Sequence, residues 1–409
     1  MIPQIGPVRL EFILFALTLV GVALFHKKTM YVALCGLASV LLFKWIFIPG
    51  FSLFTHIVGG HGHEGEWRTL VNLMGLLFGF AILAKHFEES NVPEILPKYL
   101  PNVYWGSVAL LFFIFVMSSF LDNIAAAMIG GTIAMCVYEG RVHIGFLAAI
   151  IAASNAGGAP SVVGDTTTTL MWIDGVSPLD VLHAIWGSLG AFLVFGFIGA
   201  YQQNRYQSIR GECATFVRLD YGKLFIVFMI LALAIAANWG MDFPAVGVWV
   251  AILIGATFRR TPWSELRKAW QGTVFLMSLV LCASLMPVEE LPSASWITAL
   301  GLGFVSAVFD NIPLTKLCLV QGGYDWGVLA YAVGFGGSMV WFGSSAGVAL
   351  SNQFPEAKSV FKYLRHGWYV TIAYLVGFAL MMAVAGWQPH APHKDVPTAP
   401  AVQTEQRQR

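Results

Sequence analysis

The sequence predicts an all-α polytopic membrane protein built from two inverted-topology repeats, each holding a re-entrant hairpin and a discontinuous helix. Three observations lead there: very low charge, a pair of motifs that occurs twice in the same order, and a lopsided distribution of basic residues. Of 409 residues, 57% are hydrophobic and only 11% are Asp, Glu, Lys or Arg. A soluble domain carries roughly 25% charged residues. With 31 Phe and 14 Trp as well, too little polar surface remains to cover a water-exposed shell. Disorder is excluded by the same numbers, since it needs low hydrophobicity and high net charge. A net charge of +1 gives no basis for nucleic-acid binding.

A helix needs about 20 apolar residues to cross a bilayer core. Apolar runs fall at about 8–25, 31–48, 67–85, 104–120, 121–137, 144–172, 181–201, 222–237, 242–257, 272–287, 296–309, 311–320, 327–350 and 367–386. The first run has Glu11 before it and Lys27-Lys28 after it, the reverse of a secretory signal, so it is expected to be a spanning helix. Regions 104–137 and 296–320 are each interrupted by an Asp-Asn pair. Reading both as hairpins leaves ten spans. Sixteen of the 23 Lys and Arg then fall on one side, with only Arg9 and Arg68 near spans on the other. That bias marks the dense side as cytoplasmic. Both termini are thereby expected outside, together with the His-containing loop 56–68 and the Glu289-Glu290 loop. The five Cys form no CxxC and read as small buried hydrophobes.

The repeat is explicit in the motifs. Ser118 to Ile124, with Asp122-Asn123, aligns with Ser306 to Ile312, with Asp310-Asn311. Gly157 to Asp165 aligns without gaps with Gly336 to Ser344. The first repeat is placed at 1–201, with its hairpin at about 104–137 and broken helix at about 144–172. A cytoplasmic linker covers 202–221. The second repeat spans 222–386, with its hairpin at about 296–320 and broken helix at about 327–350. The Pro-rich stretch 387–409 is expected to be a disordered tail. Five crossings per half is odd, so the copies must have opposite orientations. That is the plan of a secondary transporter, whose site lies where the two broken elements meet.

A carboxylate in the bilayer core is costly and usually meets an ion, a proton or a partner. Asp122, Asp310 and Asp165 qualify, although a helix end or polar neighbour could also neutralise each. Asn123, Asn155 and Asn311 offer amide oxygens. Pro313 is expected to free a backbone carbonyl. Three Gly and one Pro between Asn155 and Asp165 break any helix there and expose backbone ends. Of the run Thr166 to Thr169, one or two hydroxyls, with Thr166 and Thr167 preferred, are candidate ligands, and the rest should bond back to the preceding turn. Ser344 and Ser345 supply hydroxyls in the second copy. This all-oxygen set suits hard cations such as Na⁺ or Li⁺. Sodium is accordingly expected at Asp122, Asp310 and Asp165. A carboxylate that alternately holds Na⁺ or H⁺ yields antiport directly. Lys316 is a candidate modulator: it either snorkels to the outer interface, neutralises Asp310, or helps to hold an anion. His56, His61 and His63, with Glu64 and Glu66, read as a solvated loop, with metal binding or pH sensing as the other reading.

At these motifs the chain resembles the ion transporter superfamily, and most closely its NhaD-type sodium/proton antiporters. The resemblance rests on Asp122-Asn123-Ile124, Asn155 to Thr168, Asp310 to Leu314 and Gly336 to Ala349, and covers about 67–386. It implies exchange of Na⁺ or Li⁺ for H⁺ across a bacterial inner membrane, with these Asp, Asn, Ser and Thr positions at the ion site. It implies no cofactor beyond the transported ions, and membrane lipid as surroundings; a homodimer is compatible with it. Relatives in the same superfamily carry citrate, other dicarboxylates or arsenite, which makes an anion carrier the alternative. Against that alternative stands the absence of Arg near either motif, since a di- or tricarboxylate normally wants a guanidinium. No HExxH, GxSxG or Cys-His pairing supports an enzyme.

Overall fold

In a bilayer every backbone polar group must be satisfied within the chain, so long apolar segments fold as helices. The structure, a computed structural model, describes residues 3–5, 8–25, 28–60, 63–101, 104–210 and 218–391. It is an all-α bundle with several helices fit to span a membrane. Among the described residues the strands form two minimal antiparallel pairs, Gln4–Ile5 with Val8–Arg9 ahead of the first helix and Gly59–Gly60 with His63–Glu64 in a connection between helices.

The outer helices come first. They are α1 (Leu10–Leu24), α2 (Thr29–Phe47), the short α3 (Leu53–Val58) and α4 (Trp67–Glu88), extended by α5 (Val92–Ile95). Helices α6 (Tyr104–Ser118) and α7 (Asn123–Val137) are the two arms of the first expected hairpin. Helix α8 (Ile144–Gly158) stops at its glycines, and α9 (Thr166–Ile173) restarts after a gap. A turn, α10 (Pro178–Leu182), leads to α11 (Ala184–Tyr206). The second half holds α12 (Tyr221–Met241), α13 (Pro244–Phe258) and α14 (Ser264–Ser284). Its hairpin arms are α15 (Trp296–Ser306) and α16 (Asn311–Gln321). The broken element then runs through α17 (Trp326–Leu329), a π-helical stretch Ala330–Phe335, a turn at Gly337–Met339 and α18 (Ser345–Gln353). Helix α19 (Val360–Val384) closes the bundle.

Five helical segments have both the length and the apolarity to cross a membrane: 29–47, 67–99, 178–206, 221–241 and 360–384. Six shorter apolar helices accompany them, including all four hairpin arms except α16, which carries Lys316. Expected runs 272–287 and 367–386 start earlier than read, at Ser264 and Val360. Hydropathy cannot see these starts, because the added turns carry Glu265, Arg267, Lys268, Lys362 and Arg365 on exposed or partly exposed faces. At the other end, residues 388–390 of the expected tail pair with 323–325: the amide of Gly323 donates to the carbonyl of His390 at 2.8 Å and that of His390 to Tyr324 at 2.9 Å. Residues 392–409, Lys27, His61 and Cys213 lie outside the described residues. Cys136 is disulfide-bonded, whereas Cys35, Cys282 and Cys318 are free.

The broken elements occupy the centre of the molecule. Every residue from Gly145 to Gly158 is buried, as is every residue from Trp326 to Met339. Helices α6, α7, α11 and α19 pack against α8, and α11 and α19 pack on each other. Burial this complete requires small residues. Gly157 lies against the carbonyl of Phe115, where a Cβ would clash, and its aligned partner Gly336 lies against the carbonyl of Gly303. The stitching repeats as well. Ser118 Oγ donates to the carbonyl of Ser154 at 2.5 Å, and the aligned Ser306 Oγ donates to that of Val333 at 2.7 Å.

Candidate functional site

Four helices begin beside one another at the centre, and each begins on a residue singled out by the sequence. Asp122, Asp165, Asp310 and Ser344 are the N-cap residues of α7, α9, α16 and α18. Aligned positions share backbone shape. Asp122 and Asp310 have φ/ψ of −51/138° and −56/137°; Asp165 and Ser344 have −140/141° and −135/152°. Asp and Ser suit these positions because an N-cap oxygen can accept from the first free amides of the helix. Asp310 accepts from the amide of Ile312 at 3.0 Å, and Ser344 from that of Gly347 at 3.2 Å.

Around Asp165 the polar contacts are directional. Its Oδ1 accepts from Asn123 Nδ2 at 3.0 Å, from the Thr167 amide at 3.3 Å and from Thr166 Oγ1 at 3.4 Å. Asn123 Nδ2 also donates to Asn155 Oδ1 at 3.0 Å, and Asn155 Nδ2 donates onward to Ser338 Oγ at 2.9 Å. The chain of amides thus ties the first hairpin to both broken elements. It also leaves oxygens over: Asp122 Oδ1, Asn123 Oδ1 and Asp165 Oδ2 are buried with no hydrogen-bond donor among the described residues. All three are pure acceptors. Leaving such atoms buried and unmatched is expensive; a cation or a donor such as water would match all three, and a proton would match the two carboxylate oxygens.

The remaining predicted residues fall into a second group. Asp310, Ser344 and Ser345 line a cavity of about 520 Å³, together with Ile124, Lys28 and Lys268. Asn311 is buried next to Asp310. The charge of Asp165 is felt at both Asp122 and Asp310, so the two groups face each other electrostatically. Among the described residues, however, no three His, Cys, Asp or Glu side chains are placed to hold one metal ion together. A cation bound here would draw on amide, hydroxyl and backbone oxygens besides a carboxylate.

Part of the Thr run bonds back to the preceding turn, as expected. Thr168 and Thr169 Oγ1 each donate to the carbonyl of Asp165 at 2.9 Å, leaving Thr166 and Thr167 beside the carboxylate. Pro313 does not free a carbonyl. It is the third residue of α16, where a backbone amide has no helical acceptor to lose. Lys316 neither snorkels nor meets Asp310. Fully buried, its Nζ lies 2.9 Å from Glu66 and 3.1 Å from Asp174. Of the His-containing loop, His56 Nε2 lies 2.9 Å from Ser284 Oγ.

Three further buried residues were not singled out by the sequence. Ser338 is a small residue inside a glycine motif, with nothing in hydropathy to mark it. Gly334 aligns with Asn155, and a Cβ there would sit 2.8 Å from Asp165 Oδ2. Asp325, buried at the start of α17, binds His183 Nε2 at 2.7 Å and the amide of Gln388 at 2.8 Å. Only the spacing of the aligned repeat would have drawn attention to Gly334.

Fold and site together define a multi-pass helical membrane protein with buried acidic groups at the ends of broken helices. In sequence it is similar to several sodium/proton antiporters. It is 27% identical over 379 residues to Sodium/proton antiporter 1 of Arabidopsis thaliana, covering 81% of this chain and 62% of that protein. It is 27% identical over 337 residues to the Na⁺/H⁺ antiporter NhaD of Alkalimonas amylolytica, covering 68% of each. With the NhaD of Vibrio parahaemolyticus it shares 25% over 358 residues, 71% of this chain and 84% of that one. The match thus spans less than two thirds of the plant protein's length. No family model matches the chain.

Proposed function

We propose that this protein is a secondary transporter that exchanges Na⁺ or Li⁺ for H⁺ across the membrane, with Asp165 and Asp122 alternately neutralised by cation and proton. The observation that carries the reading is the set of three buried acceptor oxygens, Asp122 Oδ1, Asn123 Oδ1 and Asp165 Oδ2, which have no hydrogen-bond partner among the described residues. A single site that must be filled by either a cation or a proton couples their movements in opposite directions, because one cannot enter until the other leaves. The distant relatives, all antiporters by name, support transport rather than catalysis.

In this reading the two halves are inverted repeats, and the cavity that reaches Asp310 past Lys28 and Lys268 is the route from the cytoplasmic side, since those lysines belong to the basic side of the topology. Rocking of the hairpins against α4, α12 and α13 would exchange that route for one from outside. Asn123 and the Thr167 amide hold Asp165, and Asn155 holds Asn123; Asp310, Ser344 and Ser345 line the path to it, with Asn311 next to Asp310. The anion-carrier alternative depended on Lys316 as a partner for substrate. Its ammonium is engaged by two carboxylates, which removes that support.

Everted membrane vesicles test the reading. After respiration has built a pH gradient, added Na⁺ or Li⁺ should collapse it with the natural protein and fail to do so with Asp122→Asn or Asp310→Asn. Absence of any response by the natural protein across the pH range, or normal responses from both variants, would falsify antiport. Uptake of labelled citrate without a Na⁺ response would point to the anion carrier instead.

A further inference from the structure

Away from the transport site, a cleft of about 660 Å³ opens between the end of α4, the starts of α12 and α14, and the end of α13. Its walls include Glu89, Lys223, Arg260, Thr261, Trp263 and Ser264. We propose that this cleft binds the phosphodiester headgroup of an anionic phospholipid.

Thr261 points to a ligand. The residue is only 6% exposed and lines the cleft, yet its Oγ1 has no hydrogen-bond partner among the described residues. A buried hydroxyl left unmatched costs free energy unless something enters to meet it. Next to it, α14 starts on Trp263, which supplies no side-chain cap. The helix is 21 residues long, so its N-terminal end favours an anion. A basic loop that serves only to orient the chain needs charge alone; it does not need a buried, unmatched hydroxyl in the wall of a cleft.

The charge balance selects the class of anion. Lys223 Nζ is 2.6 Å from Glu89, and the neighbouring Arg259 lies 3.5 Å from Asp220. Arg260 is therefore the net positive charge of the cleft, and its planar fork fits phosphate oxygens. One net charge matches a phosphodiester, which carries one negative charge. A free phosphate is close to a dianion at neutral pH and would leave a charge uncompensated. The surroundings match a lipid in the same way. Leu253, Ile254 and Phe258 of α13 are 57, 41 and 71% exposed and offer an apolar face for acyl chains, while Trp263, 44% exposed, is of the type that settles at the headgroup level. Basic pockets between spanning helices on the cytoplasmic side are a recurring setting for such lipids.

Native mass spectrometry of the purified full chain, titrated with phosphatidylglycerol or phosphatidylcholine, reads this out. The natural protein should retain one phosphatidylglycerol in preference to phosphatidylcholine. Arg260→Gln should weaken that retention about fivefold, the size expected of one basic contact, and Thr261→Val about threefold, with Thr261→Ser behaving like the natural residue. Equal retention of the two lipids by the natural protein overturns the proposal, and needs no variant to fold. So does unchanged retention in both Arg260→Gln and Thr261→Val. Displacement of phosphatidylglycerol by low millimolar inorganic phosphate assigns the cleft to free phosphate, and the lipid assignment fails.

Discussion

The two broken elements share a backbone plan but not a chemistry. The helix pairs α6/α7 and α15/α16 both break just before an Asp-Asn pair, both are pinned by a serine that donates to a carbonyl of the neighbouring element, and both broken elements restart helices on matching N-caps. The first element adds Asp165 and Asn155. At the aligned positions the second has Ser344 and Gly334. That difference is complementary: the missing side chain of Gly334 is the space into which Asp165 Oδ2 projects. The first element thus carries the acidic cap, and the second a hydroxyl cap and the room beside Asp165.

The largest expected consequence is that the aligned caps are unequal. Asp165→Asn should remove Na⁺-dependent proton flux in everted vesicles, while Ser344→Ala should retain most of it. Equal losses from the two would break the comparison. Next in size is a variant outside the site. Lys316→Met strands Glu66 and Asp174 without their buried cation, which should cost on the order of 3–5 kcal/mol and show as a sharply lowered unfolding temperature in detergent. Lys316→Arg should recover much of it.

Glycines sharpen the contrast further. Gly334→Ala brings a methyl to 2.8 Å from Asp165 Oδ2, a side-chain atom that can swing away. The protein should fold and its apparent Na⁺ affinity should fall about tenfold, or roughly 1.4 kcal/mol, as measured by the Na⁺ concentration for half-maximal flux. Gly157→Ala meets the backbone carbonyl of Phe115, which cannot move alone, so loss of folded protein on size-exclusion chromatography is expected instead. The smallest effect is that of Ser344→Ala on stability. Loss of one N-cap is worth about 1 kcal/mol and should appear as a modest shift in thermal unfolding with an intact elution profile.

Much of this arrangement was readable from residue order. The Asp-Asn interruptions, the glycine-rich breaks and the back-bonded threonines are local events, governed by helix capping and by the cost of Gly and Pro in a helix. They fall where the motifs put them. What escaped was mostly a matter of neighbours distant in sequence. Lys316 finds Glu66 and Asp174 across separations of 250 and 142 residues, and Asn155 finds Ser338 across 183. Hydropathy assigns a residue a depth in the membrane, but it does not say which helix it faces. For Lys316 that distinction changes the chemistry, from an anion-binding candidate to a buried structural cation. Pro313 failed for another reason: its effect depends on its place within the helical turn, and a shift of one turn separates a broken hydrogen bond from none.

In the proposed exchange, cation and proton compete for the same carboxylate. Isothermal titration of Na⁺ into the purified protein, with proton release followed in weakly buffered solution, addresses it directly. The account predicts that Na⁺ binding releases protons and that the apparent Kd rises as pH falls, by up to about tenfold per pH unit for exchange of one proton. Asp165→Asn should bind little Na⁺ and release no proton. Na⁺ binding with no proton release at any pH, or an unchanged titration in Asp165→Asn, would contradict it.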